Sequence, residues 1–462
     1  MINFWAMLKL TITLAVRSHI FQLLLTLLLL CIFLLPNTIS GDGTARGFIQ
    51  ISLKYNLAVI GFILTVSSVW LSCHTMNRDL DGHQLHLVFT KAIPRWKVWL
   101  GKCSGVFIVH LIMLIIAAVS VYSQILWQYN NNDYSEDEKT RLSNEVLVGR
   151  RTFYPKIINI GAIVKDENEK KLKSLQFKIG AQADMMAQSM TRSTNKKVIK
   201  DVSRVRYGPT ESREWEISGL PVDGEDGISL RYRAYVDNLF SSTGKQRQTA
   251  GLWSARLTVP DGTDNNGKTT YKSFYRSVSN QPVPYIGGTF HELRLPNLIV
   301  DQQGHVQLKY INFDFSKKDQ FFQPKDGPVL LIKVTDFFNN YSRSVFVLST
   351  WLAFVTIMAC SLSTFSSLFS ALFMSGSYLV IGLLVTFISG SGNQGVTTIL
   401  NFIFVNPEAF DVSSLVADGQ LIEYSLIINY FIISTLFMKG IPFLLAGIWF
   451  YSRREIGLVI KK

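Results

Sequence analysis

Six apolar runs, each close to the ~20 residues a helix needs to cross a bilayer, constrain this chain more than any other feature. They fall near 17–36, 55–73, 103–127, 344–361, 368–389 and 426–451. Between the third and fourth, from Gln128 to Arg343, no stretch is apolar enough to span. Backbone in hydrocarbon must satisfy its own hydrogen bonds, so such runs are expected to fold as helices. The expected fold class is an α-helical polytopic membrane protein of about six transmembrane helices. It would carry an inserted extracytoplasmic α+β domain containing an antiparallel β-sandwich. Residues 1–127 would form the N-terminal membrane half, 128–343 the extracytoplasmic domain and 344–462 the C-terminal membrane half.

Composition agrees with a membrane location. The chain has 462 residues, of which 48% are hydrophobic and only 17% charged, and its net charge is +13. A basic balance can mean nucleic acid or anionic lipid. No helix-turn-helix, zinc finger or aromatic-basic RNA-binding signature accompanies the charge, so lipid is the expected partner and nucleic acid is not. Cys31, Cys73, Cys103 and Cys360 all lie in or beside apolar stretches, which implies no disulfide framework.

The basic residues orient the spans. Arg78, Lys91, Arg95, Lys97 and Lys102 follow the second run, and Arg453, Arg454, Lys461 and Lys462 follow the last. The connection Gly390–Ser425 has no Lys or Arg but contains Glu408, Asp411, Asp418 and Glu423. Six spans with both termini cytoplasmic put each of these segments on its favoured side and residues 128–343 outside, at a cell membrane expected to be a bacterial inner membrane. The first run is long for a signal-peptide core and no small-residue cleavage site follows it. Met1–Val16 reads as an interfacial helix leading into the first span. Two ionisable residues fall inside spans, His110 and Lys439, and such groups are functional candidates by default. A neutral histidine, and a lysine beside a break at Gly440-Ile-Pro442, are the plainer readings.

The long insertion has two characters. Residues from about 130 to 204 are polar, and Glu167–Phe177 and Ala181–Thr191 favour helix. Beyond them the period becomes two: Ile228, Leu230, Tyr232 and Ala234 alternate with Ser229, Arg231 and Arg233, and Val306, Leu308 and Tyr310 with Gln307 and Lys309. Further strands are expected at 251–259, 269–279, 288–295 and 329–334, divided by turns such as Pro260-Asp-Gly262 and Asp301-Gln-Gln-Gly304. Trp215, Trp253, Tyr271 and Tyr275 could stack on a ligand or fill the core; the core reading is favoured for Trp215. No catalytic cluster or metal spacing stands out.

The stretch between the second and third runs carries the most information. From Arg78-Asp79 it passes Asp81-Gly82-His83 to an apolar patch at Leu85, Leu87, Val88 and Phe89. Pro94 then breaks the chain before a basic, tryptophan-rich approach, Arg95-Trp96-Lys97 to Gly101-Lys102. It reads as a short amphipathic helix, a turn and a second helix rising into the third span. His83 and His86, with Cys73-His74, lack a carboxylate to complete a tetrahedral metal set, so no metal is expected.

This stretch resembles the cytoplasmic loop of ABC-2-type exporter permeases. Arg78-Asp79 stands for the family's acidic start, Gly82 for its glycine, Thr90-Lys91 for Ser-Lys, Arg95-Trp96 for Arg-Trp and Gly101-Lys102 for the closing pair. His83 replaces a threonine, Ala92 the usual proline, and Pro94 a serine. The entry Phe4–Arg17, the stretch Val405–Gly419 and the close Trp449–Glu455 are similar to the family as well. The resemblance implies a transmembrane permease subunit paired with a second permease subunit and with cytoplasmic ABC ATPase subunits. ATP and magnesium would belong to the ATPase; no cofactor is expected in this chain, which has no phosphate-binding glycine loop of its own. Asp79, Asp81 and Gly82 would dock the ATPase, with Pro94, Arg95 and Trp96 at the turn. Gly101 would allow close helix packing, and Lys102 would anchor the helix at the inner surface. The alternative is a membrane-anchored extracytoplasmic binding or sensing protein; an outer-face membrane enzyme fits less well.

Overall fold

The computed structural model describes residues 2–38, 44–81, 94–132, 134–156, 163–167, 169–170, 194–195, 197–222, 227–236, 247–263, 269–279, 281–296, 299–323, 326–389 and 394–453. The chain divides into two compact units, Met1–Gly149 with Thr335–Lys462, and Arg150–Val334.

The first unit is helical. Its long elements are α1 (Ile2–Val16), α2 (His19–Thr38), α3 (Ala45–Asp81), α4 (Arg95–Asn131), α6 (Phe337–Ser363), α7 (Leu368–Ser389) and α10 (Tyr424–Arg453). Shorter helices are α5 (Glu136–Glu145), α8 (Gln394–Ile403) and α9 (Ser413–Ala417). Among the described residues, five helices (α3, α4, α6, α7 and α10) are long and apolar enough to cross a membrane. The first expected run does not stand alone as a straight helix. Phe4–Val16 and His19–Leu35 are bent by 64°, and together they would count as a sixth span. Ser18 makes the bend: its hydroxyl donates to Ala15 O at 2.7 Å and accepts from Phe21 N at 3.2 Å, capping α2.

Helices α3 and α4 run past their expected limits. Each has 37 residues, about 55 Å at 1.5 Å per residue. The added turns are polar, and hydropathy alone does not see them; Met76, Val98 and Trp99 within them pack into a buried cluster. Helix α10 is unbroken at Lys439-Gly-Ile-Pro442, contrary to the expected break. Residues Ile427–Gly440 are π-helical and the α pitch resumes at Ile441. The wider turn accommodates Pro442, which has no N–H to give.

Polar contacts tie these helices together about α3. Trp351 Nε1 donates to Thr65 Oγ1 at 2.8 Å, Ser68 Oγ meets Thr356 Oγ1 at 2.9 Å, and Asn77 Nδ2 donates to Ser363 Oγ at 2.5 Å. All three link α3 to α6. The Tyr341 hydroxyl donates to Ala118 O at 2.9 Å and joins α6 to α4.

The second unit is built of antiparallel sheets. In chain order its strands are β1 (Val148–Phe153), β2 (Arg204–Val205), β3 (Ser212–Ile217), β4 (Ile228–Arg233), β5 (Tyr235–Val236), β6 (Gln248–Thr263), β7 (Thr269–Ser277), β8 (Val283–Ile286), β9 (Phe290–Leu295), β10 (Val306–Asn312), β11 (Gln320–Phe321) and β12 (Val329–Asp336). The chain passes between the two units within β1 and β12. One sheet has the order β1-β12-β4-β9, a second β3-β10-β6-β7 with β8 also on β6, and a third β2-β11-β5. One apolar core takes Ile228, Leu230 and Tyr232 from the first sheet, Trp215, Trp253, Leu308 and Tyr310 from the second, and Val205 from the third. Trp215 and Trp253 are therefore core residues. Tyr275 is partly exposed, with Lys309 Nζ 5.3 Å from its ring, and the Tyr271 side chain lies outside the description.

Two turns expected from sequence fare differently. At Asp301–Gly304 the chain does turn: Asp301 Oδ1 accepts from Gln303 N and His305 N, and Gly304 takes φ +74°. Pro260-Asp-Gly262 does not turn. It is a bulge inside β6, which pairs with β7 through Thr263↔Thr269. Of the expected helical part of the insertion, α5 and the helical residues 163–167 and 197–203 are seen. Residues 171–193, including most of the two expected helices, lie outside the described residues.

The core holds a polar chain. The Tyr285 and Tyr310 hydroxyls lie 2.5 Å apart, and Tyr310 donates to Gln320 Oε1 at 2.5 Å. Gln320 Nε2 donates to Thr249 Oγ1, whose hydroxyl donates to Asp314, itself paired with Arg247. Burial pushes both phenols above the ordinary tyrosine value. A side chain at Gly251 would collide with the Tyr310 hydroxyl, so only glycine admits this arrangement. On the other face of the first sheet, Arg150 of β1 and Glu292 of β9 form a buried ion pair at 2.8 Å, 2% and 3% exposed. Arg150→Met leaves that carboxylate buried with its strongest partner gone and is expected to destabilise the protein by about 3–5 kcal/mol, while Arg150→Met/Glu292→Leu recovers most of the loss. Denaturant unfolding followed by tryptophan fluorescence measures both.

Candidate functional site

Of the residues selected from sequence, Arg78, Pro94, Arg95, Trp96, Gly101 and Lys102 lie at one end of the first unit, here the basic end. Helix α3 continues through the expected acidic start, so Arg78, Asp79 and Asp81 occupy its last turn rather than a loop. Arg78 is exposed; the side chains of Asp79 and Asp81 are not described. Gly82 and residues 83–93 lie outside the described residues, and with them His83, His86 and the apolar patch. The chain is described again at Pro94, whose extended backbone (φ −56°, ψ 130°) stands directly before α4. A proline there costs no helical hydrogen bond.

From Arg95 onward the geometry is dense. Arg95 Nη1 donates to Ser452 O at 2.9 Å, which ties the start of α4 to the end of α10. Trp96 is exposed and carries Lys97 Nζ at 5.4 Å from its ring, while Arg453 lies 4.4 Å from the Trp449 ring. Trp99 is fully buried in a cluster with Met7, Met76, Val98, Cys103, Cys360 and Tyr451. A Cβ on Gly447 of α10 would lie 2.5 Å from Trp99 Cζ2, so α10 meets α4 at contact distance there.

Gly101 and Gly105 stand one helical turn apart on the face of α4 that meets α1. A Cβ at Gly101 would lie 2.9 Å from Met7 Cβ, and one at Gly105 would lie 2.7 Å from Thr11 Cβ. Both distances are below what a side chain tolerates, and this small-x-x-x-small spacing is how helices approach closely in an apolar medium. Gly105 was not singled out from sequence; its spacing from Gly101 was the available signal. Lys102 is 2% exposed and shares a cavity with Thr11, His74 and Arg78.

The two ionisable residues of the apolar runs have distinct roles. His110 is fully buried. Its Nδ1 lies 2.9 Å from Val106 O, which can only accept, so this nitrogen carries a proton; Nε2 accepts from Ser67 Oγ at 3.0 Å. Nε2 thus joins α4 to Ser67 of α3, while Nδ1 is satisfied within α4 itself. Lys439 Nζ donates to Asn401 O at 2.8 Å and Phe404 O at 2.7 Å, capping the carbonyl end of α8.

That contact adds to the picture of the connection 390–425, which the sequence marks by its carboxylates and its lack of Lys and Arg. The Tyr378 hydroxyl, halfway along α7, donates to Ile403 O at 2.9 Å, and a Cβ on Gly382 would strike Val405 O. Lys439 is halfway along α10. The connection therefore folds back beside the long helices to their mid-height. Its return runs through Pro407–Phe410, with Phe410 packed 4.8 Å from Trp351, and through α9. Asn340 closes it: Nδ2 donates to Gln420 O and Oδ1 accepts from Ile422 N.

No protein-family model matches the chain, and no curated protein matches it in sequence.

Two substitutions test these contacts. Gly105→Val overpacks the α1–α4 contact and is expected to cost about 1–3 kcal/mol, read as a lower melting temperature and faster maleimide labelling of a Thr11→Cys reporter. Lys439→Met removes a charged donor from two helix-end carbonyls and is expected to cost about 1–3 kcal/mol, with increased labelling of an Asn401→Cys reporter.

Proposed function

We propose that the chain is a multi-pass membrane protein with both termini cytoplasmic, and that it is the transmembrane permease subunit of an ABC-2-type exporter. Counting the bent pair as one span gives six, an even number, which returns the C-terminus to the side of the N-terminus. The basic end carries Arg78, Arg95, Lys97, Lys102 and Arg453, which the positive-inside rule assigns to the cytoplasm. The antiparallel sheets of Arg150–Val334 would then form a β-sandwich outside.

One observation carries the permease reading: α4, the helix that leaves the candidate loop, is held in its first turns by both α1 and α10. A loop that merely closed the chain would need no such fixing. A loop that receives force needs a stiff element behind it, and α4 is a 37-residue helix. In this mechanism an ATPase subunit binds residues 79–93. Asp79 and Asp81 sit at a helix C-terminus, where the macrodipole disfavours carboxylates, so a cationic groove on the partner would relieve that cost and supply specificity. When the ATPase subunits close on ATP, the displaced loop moves the base of α4. The Arg95–Ser452 and Gly101–Met7 contacts pass that motion to α10 and α1. Helix α10 holds the folded-back connection through Lys439, so the movement reaches mid-membrane. An anchor for an outer binding domain would need neither the interhelical hydrogen bonds nor this connection.

Asp79→Lys and Gly82→Arg are expected to lower recovery of the ATPase with tagged protein at least tenfold, since a reversed charge at a docked interface costs several kcal/mol, with the melting temperature unchanged. Unchanged ATPase recovery and unchanged ATP turnover in both variants would contradict the reading.

A further inference from the structure

At the basic end a cavity of about 110 Å³ opens between α1, α2, α3 and α4. A buried water needs about 10–15 Å³ by this measure, so the space suits a group of several heavy atoms. Its lining has two chemistries. Arg78 and Lys102 bring two cations, with His74 and Thr11 beside them; no carboxylate is among the described lining residues. The rest is apolar, and that part faces outward: Leu10 and Leu14 of α1, Ile20 of α2 and Trp70 of α3 are 49%, 43%, 44% and 38% exposed. Lys102 forms part of the floor, nearly out of reach of solvent, while Arg78 stands exposed at the lip. The 64° bend between α1 and α2 lies beside the opening, with Ser18 and Ile20 among its lining.

We infer that this cavity holds the phosphate headgroup of an anionic phospholipid, with an acyl chain lying along Leu10, Leu14, Ile20 and Trp70. The inference rests on the membrane placement proposed above, but not on the permease assignment. Within that placement the cavity lies at the cytoplasmic leaflet, where anionic lipids and basic pockets between helices meet. Charge selects the headgroup, since Arg78 and Lys102 in the lining favour a phosphodiester with net negative charge over a zwitterion. The apolar, outward-facing rim selects a lipid over a free anion, because a soluble phosphate gains nothing from four exposed apolar side chains. Occupancy would fill the space beside the bend and join α1 to the bases of α3 and α4, adding α3 to the α1–α4 pair that the glycine contacts bring together.

The test uses the full-length protein, purified in mild detergent, stripped of lipid, and offered equal amounts of phosphatidylglycerol and phosphatidylcholine, with bound lipid counted by native mass spectrometry. Phosphatidylglycerol is expected to be retained at least fivefold over phosphatidylcholine. Arg78→Gln is expected to lower that retention about fivefold, the effect of one cation near an anionic headgroup. Leu14→Trp, which narrows the apolar rim from an exposed position and leaves the charges intact, is expected to lower it as well. Equal retention of the two lipids, or full retention by both variants while they melt normally, would overturn the proposal. So would complete displacement of phosphatidylglycerol by excess inorganic phosphate, which would make this a free-anion site. A chain that stays soluble without detergent defeats the membrane placement before any lipid is added, and failure to recover an ATPase leaves the lipid result standing.

Discussion

Polar groups on apolar helices must find their partners inside the bundle, and the first unit is organised around that requirement. Helix α3 carries Thr65, Ser67, Ser68 and Asn77 along its length. Each meets a polar atom on α4 or α6, through Trp351, His110, Thr356 and Ser363. Ser67, Ser68 and Asn77 are buried, and away from water such bonds have few competitors. They set the rotation and the height of α3 against its neighbours, which apolar packing alone would leave loosely specified. Everything at the basic end inherits that alignment.

With α3 placed, the base of α4 is settled by shape. Gly101 and Gly105 let α1 come to contact distance, and Gly447 lets α10 close over Trp99. The atoms met at Gly101 and Gly105 are the Cβ atoms of Met7 and Thr11, and at Gly447 the rigid Trp99 ring, so these contacts have little side-chain freedom. The folded-back connection depends on the same principle at mid-height. The end of α8 would present carbonyls to an apolar surrounding; Lys439 and Tyr378 satisfy them there. A lysine in an apolar run is thereby explained by the helix end it serves.

The sequence made some of this legible and hid the rest for identifiable reasons. The apolar runs announced the long helices because hydropathy measures what they bury. Their ends were missed because the turns beyond each run are polar and are held by packing, as at Asn77 and Trp99. Period-two alternation located β4, β7, β9, β10 and β12 within a few residues; β10 buries alternate side chains throughout, whereas the described side chains of β7, Lys272 to Ser277, are all exposed. Pro260-Asp-Gly262 looked like a turn because local chemistry cannot tell a turn from a bulge when the pairing partner is distant. Residues 390–425 looked like a loop because they carry no basic residue and little continuous apolar length. Yet Val396, Ile399, Leu400 and Ile403 have the spacing of one helical face, a signal for α8 that was present and unused. In the candidate site, Gly101 was legible as a packing residue, whereas the burial of Lys102 was not, because it depends on where α1 and α3 lie.

The central claim is that the basic end serves an ATP-driven partner. Its most direct test is to purify the tagged, full-length protein from its own membrane in mild detergent and to identify what accompanies it. The account predicts recovery, in near-equal amount, of a cytoplasmic ATPase with a glycine-rich phosphate loop, and release of that partner when residues 79–93 are replaced. Recovery of the intact, folded protein alone under conditions that preserve other membrane complexes would contradict it.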